Sequence, residues 1–449
     1  MLLSSSSIVV LLAIVVVVSL PLLSSSAYCS GSPDDGTRVN SNPILMDSNT
    51  VFISSTTNGR LYQVGPDDAR INVLHVFGSP YEMGQAQGIL MKKEVNEFVY
   101  KTFKYLDDMI VSSLDKYPLS KFMKEMIVLK GMDAALDFTI KETQPFTPSY
   151  YFDETRGIAD ASGVDYDTLL RLNMFAELTK ASCSFVGSYG SASENGKTYQ
   201  VRALDYDTDG PFKDYPLITV YHPDKGNSFT ILGWPGSIGA LTGMSEKKIG
   251  MSEIGVEYGD DSFGQGTDNT PPEKVKGKPW MFVFRDTLQF ANSADEAISS
   301  IQNSNRTCNL ILGVGDGNNK AVYGIEYSGY VAVPYNDLNQ LPVNETWHPV
   351  VKDVVYNAMD WDCPGYNQKM GQQLDQYASK ISPEVLIRNI LPTVQTGDVH
   401  SAVYDLEGSI MYVSFMRKST APVDEPQYAY ERQWTALNLK DFFATPREN

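Results

Sequence analysis

The sequence predicts an α+β protein in which a helical N-terminal third precedes a large antiparallel sheet system with helices packed outside it. Two observations support this prediction. Apolar residues recur at helical spacing between about residues 80 and 180, and from residue 183 the pattern changes to short alternating runs separated by glycine and asparagine turns. The length of 449 residues allows two lobes or one large sandwich with a sizeable core.

The composition is that of a globular chain and argues against nucleic-acid binding. Hydrophobic residues make up 42% and charged residues 20%. With 36 basic and 54 acidic side chains the net charge is −18, so no basic excess exists to release counterions from a phosphate backbone. Four histidines and four cysteines are too few and too scattered for a zinc-finger or multi-cysteine metal fold, and we predict no metal and no cofactor.

The N-terminus predicts a secretory signal peptide over residues 1–27. The first 33 residues carry no charged side chain, and an apolar run over 8–23 precedes the small residues 25–27, where signal peptidase cleaves. A membrane anchor is the alternative, but the run is short for spanning a bilayer. The sequence therefore predicts a secreted protein, with the lysosomal lumen as the alternative location, and no stable membrane insertion.

The elements follow from local signals in chain order. The N-terminal part predicts a poorly ordered lead-in at 28–60, a strand at 71–77, and helices over 80–105, 118–142 and 150–180. Gly163 interrupts the last of these, and Asp165 or Asp167 can cap the helix that follows. Beyond residue 183 the sequence predicts a helix at 281–304 and strands at 198–206, 217–223, 228–234, 238–244, 247–256, 308–316, 321–328, 400–406 and 409–416.

The familiar catalytic signatures are absent. The chain has no G-x-S-x-G elbow, no papain-type cysteine motif, no H-E-x-x-H, no Walker A and no G-x-G-x-x-G after a strand. The four histidines stand on separate strands or loops, where a surface or packing role is expected. His400 is the least ordinary of them, because it opens a predicted strand beside a Gly-Asp turn.

Cys183 is the informative residue, because it stands where the helical part ends and the sheet part begins. Arg202 and Asp205 follow it in one predicted strand. A thiol with no nearby histidine needs another base, and a cut before Cys183 would create one, since its new α-amine has an ordinary pKa near 7.7–8.0. The alternative is a buried or disulfide-bonded cysteine.

Six segments in order resemble those of the isopenicillin-N acyltransferase-like peptidases and the acid ceramidase-like proteins, which are N-terminal-nucleophile hydrolases. The segments are HVFGSPYEMGQAQG, ETRGIADASGVDYDTLLRLNMFAEL, CSF, VRALDYD, GWPGSIGALTGMSEKKIGMSEIGV and TCNLILGVGD followed by GIEYS. The resemblance covers about residues 71–416, most of the chain after the predicted signal peptide. The resemblance implies a four-layer αββα sandwich of antiparallel sheets.

The resemblance also implies the roles of four catalytic residues. Cys183 would be the nucleophile and, through its α-amine, the general base, while Asp205 would hold that amine. Arg202 would orient the substrate or stabilise developing charge, and Asn309 would donate its amide N–H to the oxyanion. A separation of three places Arg202 and Asp205 on opposite faces of a regular strand, so one of them must lie at a strand end or a bulge.

The resemblance further implies self-cleavage between Ser182 and Cys183. The products would be a helical small subunit, residues 28–182, and a β-rich large subunit, residues 183–449, which stay associated with each other. The large subunit would carry both N-x-[ST] glycosylation sequons, at Asn305 and Asn344.

The substrate pocket is where this chain departs from the family's pattern. Tyr206 and Trp234 would line an apolar acyl pocket, with ordinary core packing as the alternative. Where the family's hairpin usually reads Gly-Met-Asn this chain has Ser245, whose hydroxyl reaches less far than an amide. If Asn309 faces the site, Cys308 faces away from it.

The disulfide pattern stays open at this point. In an oxidising compartment Cys363 could pair with Cys308 or with Cys29, and the sequence does not choose between them.

The function implied by the resemblance is hydrolysis of linear N-acyl amides of the ceramide type through a thioester acyl-enzyme. One alternative is a lysophospholipase-like ester hydrolase on the same scaffold, because a thiolate accepts either leaving group. The other is a secreted glycoprotein that keeps the fold but binds without turnover.

Overall fold

The structure is a computed structural model that describes residues 29–46, 50–66, 69–113, 121–179, 181–264 and 274–447. The predicted signal peptide, residues 1–27, lies outside these residues. In the described part, no helix has the length and apolar character needed to cross a membrane.

The strands are distributed over the whole described chain. They are β1 (Ile44–Leu45), β2 (Val51–Thr56), β3 (Gly59–Val64), β4 (Ile71–Gly78), β5 (Ser182–Ser188), β6 (Tyr199–Asp205), β7 (Leu217–Pro223), β8 (Phe229–Gly233), β9 (Thr242–Ser245), β10 (Ile249–Gly255), β11 (Asn309–Asp316), β12 (Ala321–Ser328), β13 (Ala332–Tyr335), β14 (Val354–Met359), β15 (His400–Asp405), β16 (Ile410–Phe415) and β17 (Trp434–Asn438).

The helices fall before β5, between β10 and β11, and after β14. They are α1 (Pro80–Leu90), α2 (Lys92–Ser113), α3 (Lys121–Lys130), α4 (Met132–Thr143), α5 (Ser149–Ser162), α6 (Tyr166–Leu178), α7 (Trp280–Phe290), α8 (Ala294–Asn303), α9 (Pro364–Gln376), α10 (Pro383–Val385), α11 (Leu391–Val394) and α12 (Leu439–Phe443). A π-helical turn, Leu386–Ile390, joins α10 to α11.

The strands form two sheets packed face to face. One has the order β1-β17-β16-β15-β6-β5-β14, and the other has the order β13-β12-β11-β10-β9-β8-β7-β4-β3-β2. Neighbouring strands are antiparallel except for β1 with β17 and β4 with β7. Helices α1, α7 and α8 cover the outer face of the ten-stranded sheet, and α9 to α11 cover that of the seven-stranded sheet. This confirms the predicted αββα sandwich.

Local signals set several helix ends where the sequence predicts them, but the predicted helices at 80–105 and 118–142 are each divided in two, at Met91 and at Gly131. The Ser79 hydroxyl accepts from the Glu82 N–H while the Glu82 carboxylate accepts from the Ser79 N–H, which forms a capping box at the start of α1. Gly163 ends α5 in the left-handed region at φ 82°, and Asp165 caps α6 through the Thr168 N–H. The predicted single helix at 281–304 is two helices, because Ser293 starts a new one with its own cap.

Helix α1 meets α5 at two glycines of the segment YEMGQAQG. A Cβ atom at Gly84 would lie 2.0 Å from the Glu154 carbonyl oxygen, and one at Gly88 would lie 2.7 Å from that of Ile158. Gly157 on α5 meets the backbone of α1 as closely. The glycine spacing in this segment therefore lets two helices pack backbone against backbone.

The predicted poorly ordered lead-in at 28–60 is wrong for its described residues. Its second half supplies β1, β2 and the start of β3, and Asn40 is buried with its side-chain amide donating to the Tyr430 and Arg432 carbonyls. The polar composition misleads because a few of its polar side chains, such as that of Asn40, bond the rest of the fold, although most of the segment is exposed. Cys29 forms a disulfide with Cys363, one of the two pairings left open.

Candidate active site

Cys183 and Arg202 meet on two neighbouring strands. Cys183 is the second residue of β5, which pairs antiparallel with β6 so that Cys183 lies opposite Leu204 and Phe185 lies opposite Arg202. Residues two apart on a strand share a face, and Phe185 contacts Gly313 of the other sheet, so the Cys183 thiol also faces that sheet. Arg202 Nη2 lies 3.2 Å from Cys183 Sγ, and neither side chain is exposed.

The Arg202 guanidinium is held on three sides. Nη2 also donates to Glu253 Oε2 at 3.0 Å, and Nε donates to the Glu253 carbonyl at 3.4 Å. Nη1 lies 3.2 Å from His400 Nε2. The thiol, the carboxylate and the imidazole therefore surround one buried cation.

Burial dominates the electrostatics of this cluster. It raises the pKa of the Cys183 thiol well above its usual range; the charge of Arg202 opposes the rise, and the carboxylates of Glu253 and Asp205 add to it. Burial also raises the pKa of Glu253, against the charge of Arg202 and the hydrogen bond from it. In the uncut chain the thiol is therefore protonated near neutral pH, and it can act as a nucleophile only when its proton passes to another group.

Asp205 is the last residue of β6, so it, and not Arg202, is the one of the two that lies at a strand end. Its carboxylate accepts from the Thr396 hydroxyl at 2.6 Å and from the N–H groups of Gly397 at 2.8 Å and Asp398 at 3.2 Å. Burial raises the pKa of Asp205, and these three bonds oppose the rise. Its backbone pairs with that of Ser182, so Asp205 stands beside the predicted cleavage point.

A cavity of about 90 Å³ is lined by Arg202; Cys183 is not among its lining residues, but its sulfur lies 3.2 Å from Arg202 Nη2. Its polar side chains include Arg202 and Glu253, and both predicted pocket residues, Tyr206 and Trp234, line it. Most of the wall is apolar and comes from α2, α6, α7 and the strand ends, with Phe98, Leu172, Phe175, Leu204, Phe212, Leu241, Trp280, Met281 and Leu310.

Ser245 is not among the residues that line the cavity. It shares a face of β9 with Gly243, at which a Cβ atom would lie 2.7 Å from Leu288 of α7. Its hydroxyl therefore faces the outer helix layer. The other face of the same strand carries Thr242, whose Oγ1 lies 3.0 Å from His400 Nε2.

Asn309 opens β11 on the face that carries Gly313, and Gly313 contacts Phe185 of the opposite sheet. Asn309 is 1% exposed, and its Nδ2 has no hydrogen-bond partner among the described residues. A buried amide donor without a partner is uncommon in a folded protein and calls for an acceptor. No described contact joins Asn309 to Cys183, so its role as the oxyanion donor stays a prediction.

The expectation that Cys308 faces away from the site depended on Asn309 facing it, and the cavity is lined by Cys308 and not by Asn309. Cys308 precedes β11 with φ 59°, outside the extended conformation on which alternation depends. Its side chain lines the cavity, and its Sγ lies 3.3 Å from Glu177 Oε2. Both cysteines outside the disulfide therefore stand near the same cavity.

Three residues of the cluster escaped the sequence analysis as functional groups: Glu253, Thr242 and His400. Glu253 and Thr242 carry no local signal, because each is an ordinary member of an alternating strand. The position of His400 at the opening of a strand was the only hint, and β15 does begin there. In the described residues, no group of three or more His, Cys, Asp or Glu side chains could hold a metal ion.

The predicted glycosylation sequons lie at the surface. Asn305 is exposed, while Asn344 is partly exposed and its Oδ1 accepts from the N–H groups of Thr346 and Trp347. Attachment of a glycan at either residue stays a prediction.

Replacing Glu253 by glutamine is expected to destabilise the fold by about 3–5 kcal/mol, because it leaves the buried Arg202 charge without a counterion. Urea unfolding in a Cys183→Ala background, which keeps the chain whole if self-cleavage occurs, measures the shift in midpoint. The exposed Glu125→Gln serves as the control. An unchanged midpoint for Glu253→Gln would show that the pair contributes little.

Two known proteins are similar to this chain over most of their length and most of its own. The chain is 37% identical over 418 residues to protein dcd1B of Dictyostelium discoideum, a match that covers 89% of this chain and 80% of dcd1B. It is 36% identical over 412 residues to protein dcd1A of the same organism, with 88% and 90% covered. No protein-family model matches.

Among solved structures, the Caenorhabditis elegans ortholog of N-acylethanolamine-hydrolyzing acid amidase is 17% identical. That match covers 50% of this chain and 93% of the solved chain at a TM-score of 0.36, a likeness too low to support an inference. The two Dictyostelium matches are much closer, since each has more than 35% identity and spans most of both chains. This chain therefore belongs to the same protein family as dcd1A and dcd1B.

Proposed function

We propose that the protein is a secreted N-terminal-nucleophile cysteine amidohydrolase that is cut before Cys183 and hydrolyses linear N-acyl amides of the ceramide type. The observation that carries the proposal is the buried thiol of Cys183, 3.2 Å from the Arg202 guanidinium beside an apolar cavity. A nucleophile beside a fixed cation, next to a pocket for an apolar chain, suits acyl transfer.

Maturation begins at the peptide bond between Ser182 and Cys183. The Cys183 sulfur attacks the Ser182 carbonyl carbon, the C–N bond breaks, and the thiol proton passes to the departing nitrogen, which becomes the α-amine. Water then hydrolyses the resulting thioester and leaves a carboxylate on Ser182. Ser182 is exposed while Cys183 is buried, so water has access to the scissile side.

In turnover the new α-amine takes the thiol proton, and the thiolate attacks the substrate carbonyl. Asp205, at the end of β6, holds the amine, and Asn309 and Arg202 stabilise the oxyanion. The amine then protonates the leaving nitrogen, and water resolves the thioester to a free acid. The base therefore appears in the step that frees the nucleophile, which explains how a site with a strongly raised thiol pKa becomes reactive.

The cavity favours a long uncharged acyl chain. Neighbouring aromatic rings in its wall have centroids 5.2 to 6.4 Å apart. The five rings are those of Phe98, Phe175, Tyr206, Phe212 and Trp234. Arg202 and Glu253 neutralise each other at the polar end. Apolar walls with one polar end match an acyl chain that ends in an amide.

Incubation of the purified protein with matched amide and ester lipids of the same acyl chain tests this proposal. Release of the free acid from the amide supports amidohydrolase activity. Release from the ester alone favours the lysophospholipase-like alternative. An uncut chain that releases neither acid favours a non-catalytic glycoprotein.

The Cys29–Cys363 disulfide joins the two proposed subunits, because Cys29 belongs to residues 28–182 and Cys363 to residues 183–449. At 49.8 kDa over 449 residues, these pieces weigh about 17 and about 30 kDa before any glycan is added. We expect one band of about 47 kDa on a non-reducing gel and two bands after reduction. Two bands without reductant would contradict the disulfide, and one band with reductant would contradict the cut.

A further inference from the structure

His400 is enclosed beside Arg202 at the start of β15. Its Nε2 lies 3.2 Å from Arg202 Nη1 and 3.0 Å from Thr242 Oγ1. The rings of Trp234 and Phe415 lie on either side, with centroids 5.9 and 5.5 Å from that of His400. The side chain is fully buried, so these neighbours fix the orientation of the imidazole.

Arg202 also dictates the protonation state of this imidazole. A guanidinium can only donate, so Nε2 must accept, and the ring is neutral with its proton on Nδ1. Burial and the charge of Arg202 both lower the pKa of His400, which keeps it neutral where other histidines titrate. Nδ1 has no hydrogen-bond partner among the described residues. Burying this N–H without a partner lowers the stability of the fold, and the hydrogen bond from Arg202 must offset that cost.

The planar guanidinium links the imidazole to the thiol. Nη1 points to His400, while Nη2 is shared between Cys183 Sγ and Glu253 Oε2. Because the group is rigid and flat, the position of Nη1 sets the plane in which Nη2 faces the sulfur. Without an acceptor at Nη1, the guanidinium keeps only its bonds to Glu253 and its contact with the sulfur, and we expect it to shift toward Glu253.

We propose that His400 is a positioning residue that holds the Arg202 guanidinium against the sulfur of Cys183. This inference deepens the proposed function and rests on it, since it assigns His400 a part in the reactivity of that nucleophile. The charged groups that act on the thiol are Arg202, Glu253 and Asp205. If Arg202 turns away, the two carboxylates remain, and the thiolate becomes harder to form.

The test measures the rate at which iodoacetamide alkylates Cys183 as a function of pH, read by peptide mass spectrometry so that Cys308 is counted separately. Only the thiolate reacts, so the pH midpoint reports the pKa of the thiol. The variants are His400→Phe, which fills the space without an acceptor, His400→Gln, whose Oε1 reaches the position of Nε2, and His400→Asn, which is too short. His348→Gln is the control, because His348 is buried but bonds the Pro342 and Tyr356 carbonyls.

We expect His400→Phe and His400→Asn to raise the midpoint by about one pH unit, which makes alkylation about tenfold slower below it. His400→Gln and His348→Gln should stay within about threefold of the wild-type rate. An unchanged midpoint in His400→Phe, or equal behaviour of the Gln and Asn variants, would overturn the proposal. If His400→Phe fails to fold, the Gln–Asn comparison decides.

Alkylation requires no substrate, and the variants are compared in the same cleavage state, because the α-amine of a cut chain would itself change the reactivity of the thiol. The two proposals can therefore fail separately. A wild-type protein that stays uncut and releases no acid would refute the proposed function but leave the alkylation comparison valid. In an active protein, His400→Asn should lower kcat about tenfold and change KM little, because the lost contact supports the reacting groups and not the acyl chain. A rise in KM alone would count against the positioning role.

Discussion

Cys183→Ala is expected to abolish both self-cleavage and amide hydrolysis. One sulfur atom is the attacking group in both reactions, and its removal should lower turnover by roughly 10⁶-fold, the scale found on removing an enzyme nucleophile. The variant should run as one chain of about 47 kDa under reducing conditions. Cys183 is buried and alanine is smaller, so the fold should tolerate the change.

The matched control for this experiment is Cys308→Ala. Cys308 also lines the cavity, but the proposed mechanism gives it no role, so its variant should be cut and active like the wild type. Continued splitting before residue 183 in Cys183→Ala would defeat the mechanism. Loss of cleavage in Cys308→Ala instead would move the nucleophile to the second thiol.

Asn309→Ala is expected to lower kcat by about 10²–10³ with KM changed far less, because an oxyanion donor acts mainly in the transition state. Steady-state kinetics with an N-acyl amide substrate measures both constants. Asn303→Ala, on the exposed end of α8, is the control for the loss of an asparagine side chain. Retention of most of the wild-type kcat would show that the unpartnered Nδ2 of Asn309 serves another purpose.

The sequence predicted those elements whose signals are local. The run LITVYHP is a strand with the bounds the pattern indicates, and Gly163 and Asp165 mark the junction of α5 and α6 as expected. The strand at 354–359 was missed, because its mostly apolar run shows no alternation and it pairs with a strand far away in the chain. The edge strand β2 was missed because its composition is mostly polar or exposed.

The candidate site also has contacts that the sequence predicted and contacts that it could not predict. Cys183 and Arg202 lie on the neighbouring strands β5 and β6, but the sequence predicted no strand at 182–188, and only the resemblance brought the two residues into one site. The contacts of Arg202 with Glu253 and of Thr242 with His400 cross from one sheet to the other. They depend on how two sheets stack, and no pattern within a single strand encodes that alignment. Strand alternation places Thr242 and Ser245 on opposite faces, but the sequence could not tell which of the two faces the site.

The strands that precede β5 are divided between both sheets, since β1 pairs with β17 and β4 pairs with β7. After a cut at Ser182, neither piece holds a complete sheet, so refolding requires both pieces. Its kinetic order then depends on whether the two pieces are covalently linked. With the disulfide intact, the pieces meet at a high effective concentration, and recovery should not depend on dilution. In reductant, recovery becomes bimolecular and should fail at nanomolar protein. In a reducing compartment the lifetime of the cut protein would therefore be set by its unfolding rate and not by its equilibrium stability.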